Sequence, residues 1–419
     1  MKGTTMKKSV VGLGTLAAAA LVLSGCGGGG FDDNAETPDN AEATDASIEV
    51  LIGSSGEAET AAVESAVAAW SEESGIPAEV IVASDLSQQL SQGFAGGSPA
   101  DLFYMSADQM HSYAANGSLL PYASNLSNKD DFYPALVEAF SIDGEFYCAP
   151  KDFSTLALVI NTDMWEEAGL TDADYPTNWD ELATVAKKLS KDGVAGLGFG
   201  PEIERIGVFM AQAGGGFISE DGTEAIINSE ENAEAFNYVK QHLEDGSFAY
   251  SSDLGAGWGG EAFGKGLAAM VIEGNWITGA LSADFPDVKY EVVELPAGPA
   301  GKGTIQYTNC WGIATDADNT GGAQELVEYL TSTDQQLKFA EAFGVMPSVE
   351  SASENWKELY PTMSAFIDGA DYAINLPSLA GSADVIADMN AQITSLKTAD
   401  VAAILESSNT TMQSVLDAQ

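Results

Sequence analysis

The sequence predicts an α/β protein built around a largely parallel sheet. From Ile48 onward, short apolar runs alternate with stretches of helical spacing in a βαβα order, the pattern that parallel strands with crossover helices produce. The chain's 419 residues leave room for two to three domains at roughly 150 residues each. A hydrophobic content of 45% with 9% aromatics supplies cores that a disordered acidic chain would lack.

Taken in order, Ile48 to Ile52 and Glu79 to Val82 read as buried strands, and between them Val63, Val67 and Trp70 fall on one face of a helix. Asp101 to Tyr104 reads as the next strand, followed by a helix from Met110 to Asn116 closed by Gly117. Leu156 to Ile160 supplies a further strand. A helix then begins near Thr177, where Thr177 and Asp180 form a capping box and Trp179, Leu182, Ala186 and Leu189 line one side. Helical patterns recur at 230–244, 324–330, 334–343 and 383–395, and no internal repeat is evident.

Ahead of this body, Lys2, Lys7 and Lys8 precede an uncharged, mostly apolar run from Val10 to Leu23 and then Leu23-Ser24-Gly25-Cys26. A charged start, a short apolar stretch and small residues before a cleavage point define a signal peptide, and the run is short for a membrane span. Leu-Ser-Gly-Cys resembles the bacterial lipobox. The resemblance implies that residues 1–25 are removed and that Cys26 is lipidated as the new first residue. Residues 26–47 then form the lipidated Cys and a flexible acidic tether, on the order of 25 Å long as a random coil.

Composition excludes several function classes. With 16 Lys and Arg against 63 Asp and Glu, the formal net charge is -47, so nucleic acids and anionic lipid surfaces are repelled. Membrane attachment is therefore expected through the lipid anchor only. Two His and three Cys leave no zinc framework at finger spacing, and no metal or cofactor is expected. Gly259 to Lys265 imitates a phosphate-binding loop, but Gly266 stands where Ser or Thr is needed and no strand precedes it. Asp316-x-Asp318-x-Thr320-Gly321 imitates a calcium loop, yet its twelfth position is Val327; a polar turn between strand and helix is expected there. Neither GxSxG nor HExxH occurs. Paired carboxylates of the glycosidase kind stay open as an enzyme alternative.

Trp258 to Trp276, WGGEAFGKGLAAMVIEGNW, carries the most information. Its Phe263-x-x-Gly266 and Gly274-x-Trp276 spacing resembles a signature of the extracellular solute-binding proteins of ABC sugar importers, the family that includes maltose-binding protein. Trp70-Ser-Glu-Glu-Ser-Gly-Ile76, Pro99-Ala-Asp-Leu-Phe103, Gly117-Ser-Leu-Leu-Pro121, Gly144-Glu-Phe-Tyr-Cys-Ala-Pro150, Asn161 to Leu170 and Tyr175 to Leu182 resemble further family segments in the same order. The likeness spans 48–419.

The resemblance implies a periplasmic-binding-protein-like fold of two α/β lobes, with a ligand cleft between them and hinge strands joining them. On that map 48–150 plus 311–347 form the first lobe and 154–307 plus 350–419 the second, with crossings near Asp152, Asn309 and Pro347. It also implies a monomer, not an enzyme, that captures a neutral mono- or oligosaccharide and delivers it to ABC permease and ATPase subunits. A sugar site needs aromatic platforms for C–H faces and polar partners for hydroxyls. Trp276 is the expected platform, with Trp258 as a second ring. Asp108 and Asp152 match family carboxylates, Ser55 and Glu57 follow the first strand, and Asn309 and Trp311 lie on a hinge strand. Glu202 is a further candidate, and Tyr372 offers a replacement ring where Met105 and Ile367 stand in place of family aromatics. A non-sugar solute, such as a peptide or a cationic osmolyte caged by aromatics, is the other binding alternative. Cys148 and Cys310 both fall near the hinge strands, where a disulfide is permitted outside the cytoplasm and a pair of buried thiols is the other outcome.

Overall fold

The structure is a computed structural model that describes residues 42–219 and 221–419. The signal peptide and Cys26 lie outside the described residues, as does most of the expected tether. The tether's last residues are not free: Thr44 and Asn319 exchange backbone-to-amide hydrogen bonds of 2.9 and 2.8 Å, and Ala46 adds a third.

Twelve strands are present among the described residues: β1 (Ile48–Ile52), β2 (Ala78–Val82), β3 (Leu102–Ser106), β4 (Ser141–Ile142), β5 (Glu145–Phe146), β6 (Ala149–Asn161), β7 (Ala195–Phe199), β8 (Phe248–Tyr250), β9 (Ala268–Gly274), β10 (Tyr290–Val293), β11 (Thr304–Ile313) and β12 (Ala373–Ile374). Ten of them form one sheet in the order β2-β1-β3-β11-β6-β9-β7-β8, with β10 on β6 and β12 on β11, while β4 and β5 pair as a separate hairpin. The expected parallel pairing holds at both ends, β2-β1-β3 and β9-β7-β8. In the middle, β11 and β6 run antiparallel to each other and to their flanking strands.

β6 is longer than its apolar stretch Leu156–Ile160 suggests, and its alternation explains why it is continuous. Leu156, Leu158 and Ile160 enter one apolar cluster with Phe199, Phe209 and Met389. Phe153, Ala157 and Val159 enter another with Phe263, Trp356 and Phe366, as the period of two requires. A third cluster joins β1 and β3 to the end of β11 and the helices Glu57–Ser74 and Thr320–Leu330. β6 and β11 are thus the strands that pass from the β1/β3 core to the β7/β9 core. This is the two-lobed α/β fold.

Two local expectations shift. The helix expected near Thr177 is Trp179–Leu189, and its cap is Asn178, whose side chain accepts from the Glu181 amide. Glu181, not Asp180, reaches back to Thr177, because the first helical turn starts one residue later. Cys148 and Cys310 form a disulfide with Cα atoms 5.7 Å apart, joining the first-lobe ends of β6 and β11.

Candidate ligand-binding cleft

Two polar clusters and one cavity surround the middle of β6 and β11. On the first-lobe side, Lys151 forms salt bridges with Glu59 at 3.3 Å and with Asp152, and its ammonium sits 4.4 Å from the Tyr104 ring centroid. The backbone and hydroxyl of Ser55 both donate to Glu59 at 2.7 and 2.6 Å. Burial alone would raise the Glu59 carboxyl, but the Lys151 ammonium and the Ser55 donors outweigh it and hold it below its ordinary value. The cluster is a closed ion triad, with Asp152 on the strand and Glu59 on the helix that follows β1.

On the second-lobe side, Arg205 donates to the Tyr307 hydroxyl and to Glu273, both at 2.7 Å. Trp276 donates its indole N–H to the same Glu273 carboxylate at 3.1 Å. Its ring meets Tyr307 edge-on at 5.1 Å, and the Arg205 guanidinium lies 5.9 Å from the ring centroid. Trp276 is nevertheless 38% exposed, so a large aromatic surface is fixed in orientation and left open to solvent. Gly274 makes this possible, because a Cβ there would fall on the indole ring. Gly200 does the same for Glu202, whose carboxylate folds back over it. Burial pushes the Tyr307 hydroxyl well above its ordinary range, keeping it neutral beside Arg205.

A cavity of about 530 Å³ adjoins the second cluster through Tyr307, and is lined by Ser106 and Asp108 at the end of β3, by Glu204, by Gln306 to Asn309 of β11, and by Asn375, Leu376, Pro377, Ile386 and Asn390. Glu204 Oε2 and Gln306 Oε1 are buried and have no hydrogen-bond partner among the described residues. No lysine or arginine is among the residues lining the cavity.

The residues expected from sequence divide sharply. Asp108 and Asn309 line the cavity, and Trp276 abuts it through Tyr307. Glu202 belongs to the Arg205 and Glu273 neighbourhood. Ser55 supports Glu59, and Asp152 is occupied by Lys151, so both belong to the triad rather than to the cavity lining. Glu57 is exposed in the first turn of its helix. Three aromatics fall elsewhere. Trp311 is 1% exposed, packs edge-on against Tyr104 and belongs to the β1/β3 core. Trp258 packs against the apolar cluster of Phe153, Phe263 and Trp356. Tyr372 donates to Glu294 and lies under Lys302. Met105 and Ile367 are core residues. Sequence reading missed Lys151, Glu59, Glu204, Arg205, Glu273, Gln306 and Tyr307. Glu273 stands inside the quoted motif one residue before Gly274, and Glu204 and Arg205 follow Glu202 at the carboxyl end of β7, so proximity to known positions was the available signal.

Among the described residues no group of side chains could hold a metal ion, and no helix is long and apolar enough to cross a membrane.

Residues 65–365 match the family described as bacterial extracellular solute-binding proteins. A protein of Brucella abortus named as a binding protein is 26% identical over 329 residues, covering 73% of this chain and 77% of the relative. The sn-glycerol-3-phosphate-binding periplasmic protein of the same organism is 26% identical over 282 residues, covering 62% of this chain and 64% of that one. Among solved structures, the cyclic alpha-maltosyl-1,6-maltose binding protein of Arthrobacter globiformis superposes with a TM-score of 0.79 at 22% identity, covering 89% of this chain and 99% of its own.

Proposed function

The chain belongs to the bacterial extracellular solute-binding protein family, and on that premise we propose that it captures a carbohydrate in the cleft and delivers it unaltered to an ABC import permease and its ATPase. Membership in an extracellular family implies an extracytoplasmic location. The observation that carries the ligand class is Trp276, an exposed ring locked by Glu273, Tyr307 and Arg205 beside a cavity rich in hydrogen-bond acceptors. A pyranose has an apolar C–H face for such a ring and hydroxyl donors for such acceptors. The fold neighbour from Arthrobacter globiformis is itself named for a cyclic maltose-derived sugar, which supports the same class.

The lobe boundaries are proposed at 48–150 plus 311–347 and 154–307 plus 350–419, with β6 and β11 as hinge strands. Trp276, Asp108 and Asn309 are proposed as ligand contacts, with Glu202 beside them. Asp152, Ser55 and Glu57 are assigned a supporting role at the first-lobe wall. The chain is proposed to act as a monomer tethered by lipid on Cys26.

Purified protein incubated with a panel of mono- and oligosaccharides, followed by calorimetry and product analysis, tests the reading. Saturable binding with intact sugar recovered is the expected result. Catalytic release of shorter sugars would overturn the receptor in favour of a glycosidase, and a response to peptides or betaine-like cations alone would overturn the sugar.

A further inference from the structure

We propose that Asn390 is a specificity-determining donor of the cleft: its amide N–H₂ hydrogen-bonds a sugar hydroxyl oxygen, while its amide oxygen ties that contact to the Trp276 platform. The inference rests on the carbohydrate reading of the same cleft and adds the polarity of one of its contacts.

Asn390 stands on the helix Ser382–Ile393. Ala383, Ile386, Ala387 and Asn390 all line the cavity, at the i, i+3, i+4 and i+7 spacing that gathers residues on one helical face. Val385, Met389 and Ile393 fill the adjoining face and pack in the core with Leu156 and Phe209. The helix cannot roll without unpacking that core, so its cavity face is fixed.

The orientation of the Asn390 amide follows from what faces it. The backbone N–H of Ile203 can only donate, and it does so to Asn390 Oδ1 at 2.6 Å. Nδ2 is therefore the other end of the group. It has no acceptor among the described residues, and unlike Glu204 Oε2 and Gln306 Oε1 it is not one of the atoms closed off from solvent. An accessible donor without a protein partner, on a residue that lines the cavity, is open to a ligand acceptor.

The amide oxygen has a second role. The helix Ile203–Ala213 starts after Glu202, whose side chain does not cap it, so Asn390 satisfies its first N–H from outside. Two residues further on, Arg205 leaves the same turn to donate to Glu273, and Glu273 accepts the indole N–H of Trp276. Donor and aromatic platform are thus referenced to one helical turn. Asp108 supplies an acceptor to the same cavity. A hydroxyl group both donates and accepts; at Asn390 it is the oxygen lone pair that is read.

The test is calorimetry with the sugar that binds best, its monodeoxy analogues and the matching deoxyfluoro analogues. Asn390→Ala removes both roles. Asn390→Asp keeps an oxygen on the Ile203 N–H, at a helix start that favours negative charge, and replaces the donor by an acceptor. Unliganded Asn390→Asp should therefore melt close to the parent, and Asn390→Ala below it. At one ring position the deoxy sugar should bind the parent about fivefold more weakly than the full sugar, the scale of one neutral hydrogen bond. Asn390→Ala should not distinguish that pair. Fluorine accepts weakly and cannot donate, so at that position the fluoro sugar should bind the parent more tightly than the deoxy sugar and bind Asn390→Asp less tightly. General damage to the site would weaken all analogues alike and would not reverse this order. No ring position coupled to Asn390, or the same fluoro-to-deoxy order in Asn390→Asp as in the parent, would overturn the inference and leave the carbohydrate reading standing. A parent protein that binds no sugar would overturn both.

Discussion

Arg205 is the keystone of the second-lobe cluster, and its removal separates the stability of the fold from the geometry of the platform. Arg205→Met leaves Glu273, whose side chain is 1% exposed, without its cation and Tyr307 without its donor. Breaking a buried pair by removing one partner costs about 3–5 kcal/mol, because the remaining charge is left uncompensated. A body of this size unfolds with an entropy of about 0.8 kcal/mol/K, from roughly 2.1 cal/mol/K per residue, so the melting temperature should fall by about 4–6 °C. Adding Glu273→Leu removes the stranded charge, and apolar replacement of a whole buried pair is commonly neutral or stabilising. Melting by scanning calorimetry should therefore return to within about 2 °C of the parent. Binding should not return, because the indole of Trp276 has lost both its acceptor and the cation above its ring. A double variant that regains ligand affinity together with stability would refute the role given to this cluster, as would Arg205→Met melting with the parent.

Trp276→Ala should weaken sugar binding by about 1–3 kcal/mol, the scale of one lost apolar face, with the unliganded melting temperature nearly unchanged since the ring is already part exposed; isothermal calorimetry checks it. Breaking the Cys148–Cys310 bridge, whose cysteines are 162 residues apart, should lower stability by about 5 kcal/mol in the chain-entropy treatment, read as a reductant-dependent melting shift that the Cys148→Ala/Cys310→Ala variant lacks. Burial lowers the pKa of His242, with Asp245 opposing and Lys187 assisting, and it lowers that of His111 against Asp143. For a depressed histidine the unfolded chain binds the extra proton first, so stability present above the ordinary value near 6.5 should be lost progressively as pH falls below it. With only two His in the chain, His242→Gln should remove a measurable part of that slope in urea melts between pH 7 and 5. Cys26→Ala should yield protein without an acyl mass that is released or retained through an uncleaved leader, and wild-type protein beginning elsewhere without lipid would refute the anchor.

The central strands were legible from their apolar runs: Leu156–Ile160 is uninterrupted, and Ile48–Ile52 is broken only by the exposed Glu49. The hinge halves were not. A hinge crossing near Asp152 was expected from the family resemblance alone, since Pro150, Lys151 and Asp152 show no apolar run; they lie near the start of a thirteen-residue strand, because the ion triad with Glu59 makes those charges tolerable in the interior. Thr304 to Asn309 likewise mixes polar and apolar residues without a clean period, since both of its faces meet polar neighbours. Trp311 illustrates a subtler failure. Counting in twos from Tyr307 and Asn309 gives Trp311 the same facing, and β11 keeps an unbroken register with β3 there; the irregularity against β6 puts its extra residue, Lys151, on β6. Trp311 is lost to the site because the β1/β3 core covers it at that point, with its ring edge-on to Tyr104. Trp276 was chosen from its resemblance to the family's Gly-x-Trp, and the structure supplies a steric reason for that spacing, since a Cβ at Gly274 would fall on its ring. Arg205 and Glu273 became meaningful only when folding brought β7's exit and β9's end together, a proximity that spacing along the chain does not encode.

The relative named for sn-glycerol-3-phosphate sharpens what the cleft of this chain selects against. A phosphate ligand needs cations with free donors aimed at it; Lys151 already faces two carboxylates and Arg205 one, although Arg205 Nε stays buried without a partner among the described residues. Glu204, meanwhile, adds a charge of the wrong sign. Two like unit charges roughly 6 Å apart at an effective dielectric near 20 repel by about 3 kcal/mol, or about a hundredfold in affinity. Releasing Arg205 or Lys151 to meet the phosphate would only move the problem, since Glu273 or the Glu59–Asp152 pair would then be stranded in the interior. The overall charge of -47 acts in the same direction at longer range, although salt screens it beyond about 8–10 Å. The pairing of both buried cations with carboxylates is thus the physical reason that the ligand proposed for this chain is a carbohydrate and not a phosphoester.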